Sequence, residues 1–377
     1  MKAFLITVKM IRKKIAIVSV IIIVMICLVN CAVLPRFGRS PKGEILEKME
    51  ASPNYSENRF HNYSPRIERE GSSFKGWLDF LFGKRVEGFR PSESLPSVKT
   101  NLKELDRKED VLVWLGHSSL FIQIDGVRFL IDPVLVTGSP VPFFNRPFCG
   151  TKIYKPDDIP DIDYLLISHD HWDHLDYKAV TKLRNRIGTV ICGLGVGEHF
   201  RRWRFNPDNI IELDWNESVS LKNNIILHIL PSQHGSARNF LKMDRTLWVS
   251  FMIEAPSSTI FISGDTGYGP HFNDIGKHFS KIDFAIIEFG QWGEGWKHRH
   301  IMPDELVKAI NNLNPLRCFA YHNSKYTLTQ HSWFEPLEIV SELNKQDGLN
   351  IITPMIGELI DLNDLSQGFS LWWREIP

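Results

Sequence analysis

One segment constrains this chain more than any other: Ser168-His169-Asp170-His171-Trp172-Asp173-His174-Leu175-Asp176, directly after the apolar run Tyr164-Leu165-Leu166-Ile167. A short apolar run of this kind reads as a buried strand, which makes the segment a loop at a strand's carboxyl end. Its imidazoles and interleaved carboxylates sit close enough in sequence for one loop to fold them around a single point. Imidazole nitrogen and carboxylate oxygen suit zinc and its neighbours, and ligands on a strand-end loop are held rigidly while facing an open cleft.

Three later strand ends offer the same chemistry. His234 follows the apolar stretch 225–230, Asp265 follows Ile260-Phe261-Ile262, and His322 follows Cys318-Phe319-Ala320-Tyr321. With His169, His171, Asp173 and His174 they make seven candidate ligands. That is too many for one tetrahedral ion and suits two ions sharing a bridging carboxylate.

The His-x-His-x-Asp-His motif followed in order by His234, Asp265 and His322 resembles the metallo-β-lactamase fold superfamily. Within it, Trp114-Leu115-Gly116-His117-Ser118-Ser119, Leu130-Ile131-Asp132-Pro133, Arg146-Pro147-Phe148-Cys149-Gly150, Gly264-Asp265-Thr266-Gly267-Tyr268 and His300-Ile301-Met302-Pro303-Asp304-Glu305 resemble the N-acylphosphatidylethanolamine-hydrolysing phospholipase D family and its bacterial relatives. The similarity runs over residues 58–345. It implies an α/β fold, a four-layer αβ/βα sandwich with the metals where two sheets meet at one edge.

Carried over residue by residue, the resemblance makes His169, His171 and His234 ligands of one zinc, Asp173, His174 and His322 ligands of the other, and Asp265 the bridge. A water between two such ions is acidified enough to supply hydroxide near neutral pH, with Asp173 orienting it. His300 matches the family's His before Met/Asn-Pro-Glu and is expected to donate to the phosphoryl oxygen. Trp172 is expected to line the substrate cleft, and His117, Asp132 and Asp176 to fix ligand side chains from behind. Di-iron proteins of the fold carry a carboxylate where this chain has His171. That favours zinc and leaves manganese and iron open. Two segments depart from the phospholipase pattern, 289–297 and His322-Asn323-Ser324-Lys325-Tyr326, and both border the expected cleft.

Residues 15–34 are apolar but for Ser19 and Asn30 and follow Lys9, Arg12, Lys13 and Lys14. Their length suits a transmembrane anchor with a cytoplasmic flank over 1–14, or a lipoprotein signal acylated at Cys31; Asn30 before that cysteine favours the anchor. Either places the catalytic domain outside the cytoplasm, membrane-tethered. Residues 35–105 read as a tether and extension, with an amphipathic helix from Ser72 to Arg85 whose Phe74, Trp77, Leu78, Leu81 and Phe82 face either a membrane or the domain. The hydrolase domain is expected over 106–365, with a tail at 366–377. Strands are predicted at 111–115, 120–124 and 127–131, the last two joined by Asp125-Gly126, and helices at 177–186, 303–311 and 333–344.

With 44 basic and 44 acidic residues, the charge balance argues against a nucleic-acid partner. The five cysteines show no paired spacing, so no disulfide framework is implied. The expected activity is zinc-dependent hydrolysis of a phosphodiester in N-acylated phosphatidylethanolamine or a related phospholipid. A lactonase of the same fold and a non-catalytic lipid-binding surface protein are the alternatives. The oligomeric state, including a homodimer, is open.

Overall fold

The computed structural model describes residues 13–14, 17–21, 33–64, 85–140, 145–239, 242–293 and 295–376. A two-stranded hairpin, β1 (Tyr55–Ser56) and β2 (Arg59–Phe60), precedes the main body. The first sheet contains β3 (Val111–Gly116), β4 (Ser119–Ile124), β5 (Val127–Ile131), β6 (Ile162–Ile167), β7 (Ile187–Gly193) and β8 (Ile210–Leu213) in that order. The second runs from β9 (Ser218–Ser220) through β10 (Ile226–Leu230), β11 (Ser250–Glu254), β12 (Thr259–Ile262), β13 (Phe284–Glu288) and β14 (Arg317–Tyr321) to β15 (Ile351–Ile352). The late strand β16 (Leu359–Asp361) returns to pair with β3, so each sheet has seven strands.

Both sheets begin antiparallel and turn parallel, at β5–β6 in the first and β12–β13 in the second. The strands are buried on both faces, and side chains alternate between them. Leu112 and Trp114 point into the core between the sheets while Val113 and Leu115 point outward, and in the second sheet Ile260 and Ile262 point in while Phe261 points out. Each outer face is apolar too, so each must be covered. Helices α2 (Tyr177–Leu183) and α3 (Gly197–Arg202) cover the first; α4 (His271–His278), α5 (Leu306–Leu313) and α6 (Glu335–Asp347) cover the second. In α5 the buried residues are Leu306, Ala309, Ile310 and Leu313, a single helical stripe. Truncating Leu313 to Ala would cost about 2–5 kcal/mol. The result is the two-sheet α/β sandwich that the sequence resemblance implies.

The predicted helices shift at their ends. The stretch 177–186 tightens into a 3-10 turn at Arg184–Arg186, and α5 starts three residues after Pro303. Helix α6 runs on to Asp347, because Gly348 supplies the left-handed stop at φ 64°.

Residues 33–64 are no free tether. They include helix α1 (Glu44–Glu50) and pack on the sandwich through specific bonds. Arg39 Nε lies 2.7 Å from Glu198 Oε2. Asn62 Oδ1 accepts from His234 N at 2.9 Å and from Trp248 Nε1 at 3.0 Å, while its Nδ2 donates to His234 O at 3.0 Å. A polar composition that reads as linker is here a set of hydrogen-bonding partners for the domain.

The expected membrane-anchored placement is overturned: among the described residues, no helix is long and apolar enough to cross a membrane. The described helical piece of the apolar run, residues 17–21, covers about 7.5 Å of a hydrocarbon core of about 30 Å. Residues 15–16 and 22–32 of that run, with Cys31, lie outside the described residues, as does most of the expected amphipathic helix from Ser72 to Arg85.

Candidate metal centre

The carboxyl ends of β6, β12, β13 and β14 open at one edge of the sandwich, where the loop after β10 also arrives. Gly264 makes the approach possible. Its φ is 58°, and a Cβ there would lie 2.8 Å from Ser168 Cβ and from Val249 O, so only glycine lets the β12 end meet the motif loop.

All seven predicted ligands come together. In one set, His169 Nε2 lies 2.7 Å from His171 Nδ1, which lies 3.1 Å from His234 Nε2. Asp265 Oδ2 completes it, 3.6 Å from His234 Nε2 and 3.9 Å from His169 Nε2. In the other, His174 Nε2 and His322 Nε2 are 3.1 Å apart and each is 3.1 Å from Asp265 Oδ1. Asp173 Oδ2 stands 3.8 Å from His322 Nε2. Ligands about 2.0–2.2 Å from a tetrahedral ion are separated by about 3.3–3.6 Å. The first set gathers at about such spacing, and in the second His174, His322 and Asp265 do, while Asp173 groups with His322 and His117. Glu288 and His300 also stand among the possible ligands around Asp265 and His322. The two oxygens of one carboxylate divide between the two sets. Asp265 Oδ1 is buried without a hydrogen bond, a costly state that a cation would relieve.

The protonation chemistry agrees. Burial and then the neighbouring imidazoles push His169, His234 and His322 well below the usual histidine range, which keeps them in the neutral form that ligates metal. His234 Nδ1 donates to Arg299 O at 2.8 Å, which turns Nε2 toward the cluster, 3.1 Å from His171 Nδ1. Burial also disfavours the cation of His174, but Asp265 and Asp132 outweigh it and raise its pKa.

Behind the cluster, Asp132 accepts from Ser168 N at 2.8 Å and Ser168 Oγ at 2.5 Å and contacts His174 Nδ1 at 2.8 Å. His117 Nε2 lies 3.0 Å from Asp173 Oδ2. Both residues, and His322 itself, hold positive φ angles between 42° and 73°, backbone strain of the kind that gathers at functional sites. Asp176 differs from expectation: among the described residues its hydrogen bonds go to backbone amides and none to an imidazole. Its carboxylate accepts from the backbone amides of Val136, Thr137 and Lys178, capping α2 and fastening the loop after β5.

His171, Trp172 and Asp173 are partly exposed, whereas His169, His174 and His322 are buried, so the cluster opens on one side. Trp172 stands at that opening, edge-on to Phe37. His300 sits beside the cluster, its Nε2 4.0 Å from Asp265 Oδ2. The two segments that depart from the phospholipase pattern bind each other: Gln291 Nε2 donates to His322 O at 3.3 Å and Tyr326 O at 3.2 Å, and Asn323 Nδ2 donates to Phe289 O at 3.0 Å.

Sequence reading missed Glu288 and Arg238. Glu288 Oε2 lies 3.3 Å from His300 Nδ1, and Oε1 accepts from Ile301 N at 2.7 Å. The available signal was a charged residue closing the apolar strand Phe284–Glu288. Arg238 is buried with its guanidinium carbon 4.1 Å from the Trp172 ring centroid and donates to Asp170 O at 3.1 Å and Leu175 O at 2.7 Å, clasping the motif loop. An arginine in a turn carried no such signal.

Residues 127–323 match the family described as beta-lactamase superfamily domain. An uncharacterized protein of Mycobacterium tuberculosis is 30% identical over 334 residues, covering 86% of this chain and 88% of that protein. The N-acyl-phosphatidylethanolamine-hydrolyzing phospholipase D 1 of Caenorhabditis elegans is 28% identical over 274 residues, 67% of this chain and 75% of that enzyme. Among solved structures, the diiron β-hydroxylase CmlA of Streptomyces venezuelae aligns with a TM-score of 0.53 at 19% identity over 67% of this chain and 54% of its own length, a likeness of fold alone. The chain belongs to the metallo-β-lactamase superfamily, among its metal-dependent hydrolases.

Proposed function

We propose that this hydrolase cleaves the phosphodiester of an N-acylated phosphatidylethanolamine or a related phospholipid. In this reading His169, His171 and His234 would hold one zinc ion and Asp173, His174 and His322 a second, with Asp265 shared between the two sets. The donor set, imidazoles and carboxylates, is one that zinc takes readily. Bound there, the ions supply Lewis acidity and bring the pKa of a water toward 7.

The observation that carries the substrate class is His300, a further imidazole beside the cluster and outside the seven predicted ligands. Burial opposes its cation, but Glu288 and Asp265 outweigh burial and raise its pKa. A donor so placed suits a phosphodiester, because attack at phosphorus builds charge on the non-bridging oxygens, and His300 Nε2 can donate to one of them. Asp173, at the open side, orients the attacking water. His117 and Asp132 hold Asp173 and His174 in place, and Trp172 flanks the entering substrate. The relative from Caenorhabditis elegans supports the same substrate class.

The test compares N-acylated phosphatidylethanolamine, a generic phosphodiester and a lactone as substrates for the zinc-loaded protein. His300→Ala should lower phosphodiester turnover about a hundredfold, on the order of 3 kcal/mol, with zinc content unchanged. A wild type that opens lactones and leaves phospholipids intact, or a His300→Ala variant with both metals and normal turnover, overturns the proposal.

A further inference from the structure

We propose that Asn62 is a positioning residue for the metal centre: its side-chain amide clasps the backbone of His234 and holds that ligand at the spacing its set needs. The inference rests on the reading that His169, His171 and His234 hold one ion. It adds a residue 172 positions away in sequence that sets the grip of that site.

His234 lies in the loop between Leu230, the last residue of β10, and Ser250, the first of β11. This loop carries no strand among its described residues, so the backbone groups of a buried residue within it need partners from elsewhere. Asn62 supplies them. Its Nδ2 donates to His234 O at 3.0 Å and its Oδ1 accepts from His234 N at 2.9 Å, so one side chain takes both backbone groups of the ligand residue. That pair of bonds is what a hydrogen-bonded residue on a neighbouring antiparallel strand would give.

The orientation of the amide is dictated by its partners. Oδ1 also accepts from Trp248 Nε1 at 3.0 Å. Two N–H donors require an oxygen on their side and a carbonyl requires an N–H on the other, a combination that a carboxamide meets in one orientation only. The chain around Asn62 is anchored independently. Phe60 is buried and its N–H donates to Asp244 O at 2.8 Å, Tyr63 Oη donates to Asp274 Oδ2 at 2.9 Å, and Ser64 exchanges bonds of 3.3 Å and 3.1 Å with the side chain of Gln233. With its backbone held, His234 places Nε2 3.1 Å from His171 Nδ1 and 3.6 Å from Asp265 Oδ2. Asn62 lies outside residues 127–323, which match the superfamily domain, so the extension before the sandwich braces a ligand that the domain carries.

A competitive chelator titration of zinc on the full-length chain reads the affinities of the two sites. Asn62→Ala should weaken one site about tenfold to a hundredfold and leave the other within about twofold of wild type. Asn62→Asp keeps an acceptor for both N–H groups but turns a second oxygen on His234 O; it should weaken the same site, and it carries the test if Asn62→Ala does not fold. His234→Ala identifies the site. The double variant Asn62→Ala/His234→Ala should bind its remaining ion as His234→Ala does, because Asn62 acts through that ligand alone. In the metal-free proteins, the backbone amide hydrogen of His234 should exchange with solvent about tenfold faster or more in Asn62→Ala than in wild type.

Equal weakening of both sites, unchanged affinities in both variants, a further loss in the double variant or an unchanged exchange rate overturns the assignment. A wild type that binds zinc no more tightly than His234→Ala does sinks the metal reading instead, while exchange of the His234 amide still decides whether Asn62 holds that residue.

Discussion

The loop after β6 delivers His169, His171, Asp173 and His174 from one short stretch of chain, whereas the second sheet and its loops deliver His234, Asp265, Glu288 and His322 one at a time. The two halves are therefore held by different forces. The loop has no ladder of its own, so side chains brace it: Asp132 through Ser168 and His174, Ser118 Oγ on Asp173 O at 2.5 Å, and Arg238 on the carbonyls of Asp170 and Leu175. The sheet side inherits its spacing from parallel register, with Ile262 level with Ile286 and Glu288 level with Tyr321. Asp265 belongs to the sheet side and reaches both sets of ligands. Damage to a single brace should thus fall first on the ligand it holds, Asp132 on His174 and Ser118 on Asp173, and damage to Asp265 on both sets.

Replacing Asp265 with Asn is the severest break of that comparison. An amide gives up the charge both ions share, so bound zinc should fall below one equivalent and turnover should drop on the order of a thousandfold or more. Elemental analysis with kinetics on the same sample checks it. Two retained zinc ions in an inactive Asp265→Asn protein would show the carboxylate to be needed for chemistry only.

Asp132→Asn should act on one side. The amide NH2 confronts Ser168 Oγ or His174 Nδ1 in place of an acceptor, so the site built on His174 and His322 should weaken about tenfold to a hundredfold. The His169, His171 and His234 site should keep its ion. A competitive chelator titration separates the two affinities, and equal weakening of both would show that the braces serve the loop as a whole.

The same contrast explains what could be read from sequence. The motif was legible because its ligands are contiguous and follow an apolar run. His234, Asp265 and His322 were legible because each ends such a run, and a short continuous apolar run reads as a buried strand. Glu288 escaped because its meaning lies in the order of strands, which places β13 between β12 and β14; no local pattern encodes that neighbourhood. Asp176 was misassigned for the converse reason. Proximity to the motif suggested contact with an imidazole, while its position just before α2 made it a helix cap. Residues 35–64 misled by composition, since polar side chains suit a linker and a hydrogen-bonded strap equally.

The smallest effect is expected where the two halves are sewn together. Lys325, three residues past His322, is buried and donates from Nζ to Leu115 O in β3 at 3.1 Å and to Val134 O at 3.0 Å. It joins the His322 loop to the first sheet through carbonyls alone. Burial, reinforced by Lys152 and opposed by Asp176, brings its pKa down to about 7. An unfolded lysine titrates near about 10.4. Between those values the unfolded chain holds a proton that the folded amine has released, so this residue's contribution to stability falls as pH drops through that window and levels off below it. Lys325→Met removes the linkage and leaves the metal ligands untouched. The melting temperature of wild type relative to Lys325→Met should therefore shift in favour of wild type as pH rises from about 7 to about 10, on the order of 5 °C. Zinc content should be the same in both. A difference that stays flat across that range would mean the amine keeps its proton when folded, and that the seam between the halves is held by charge.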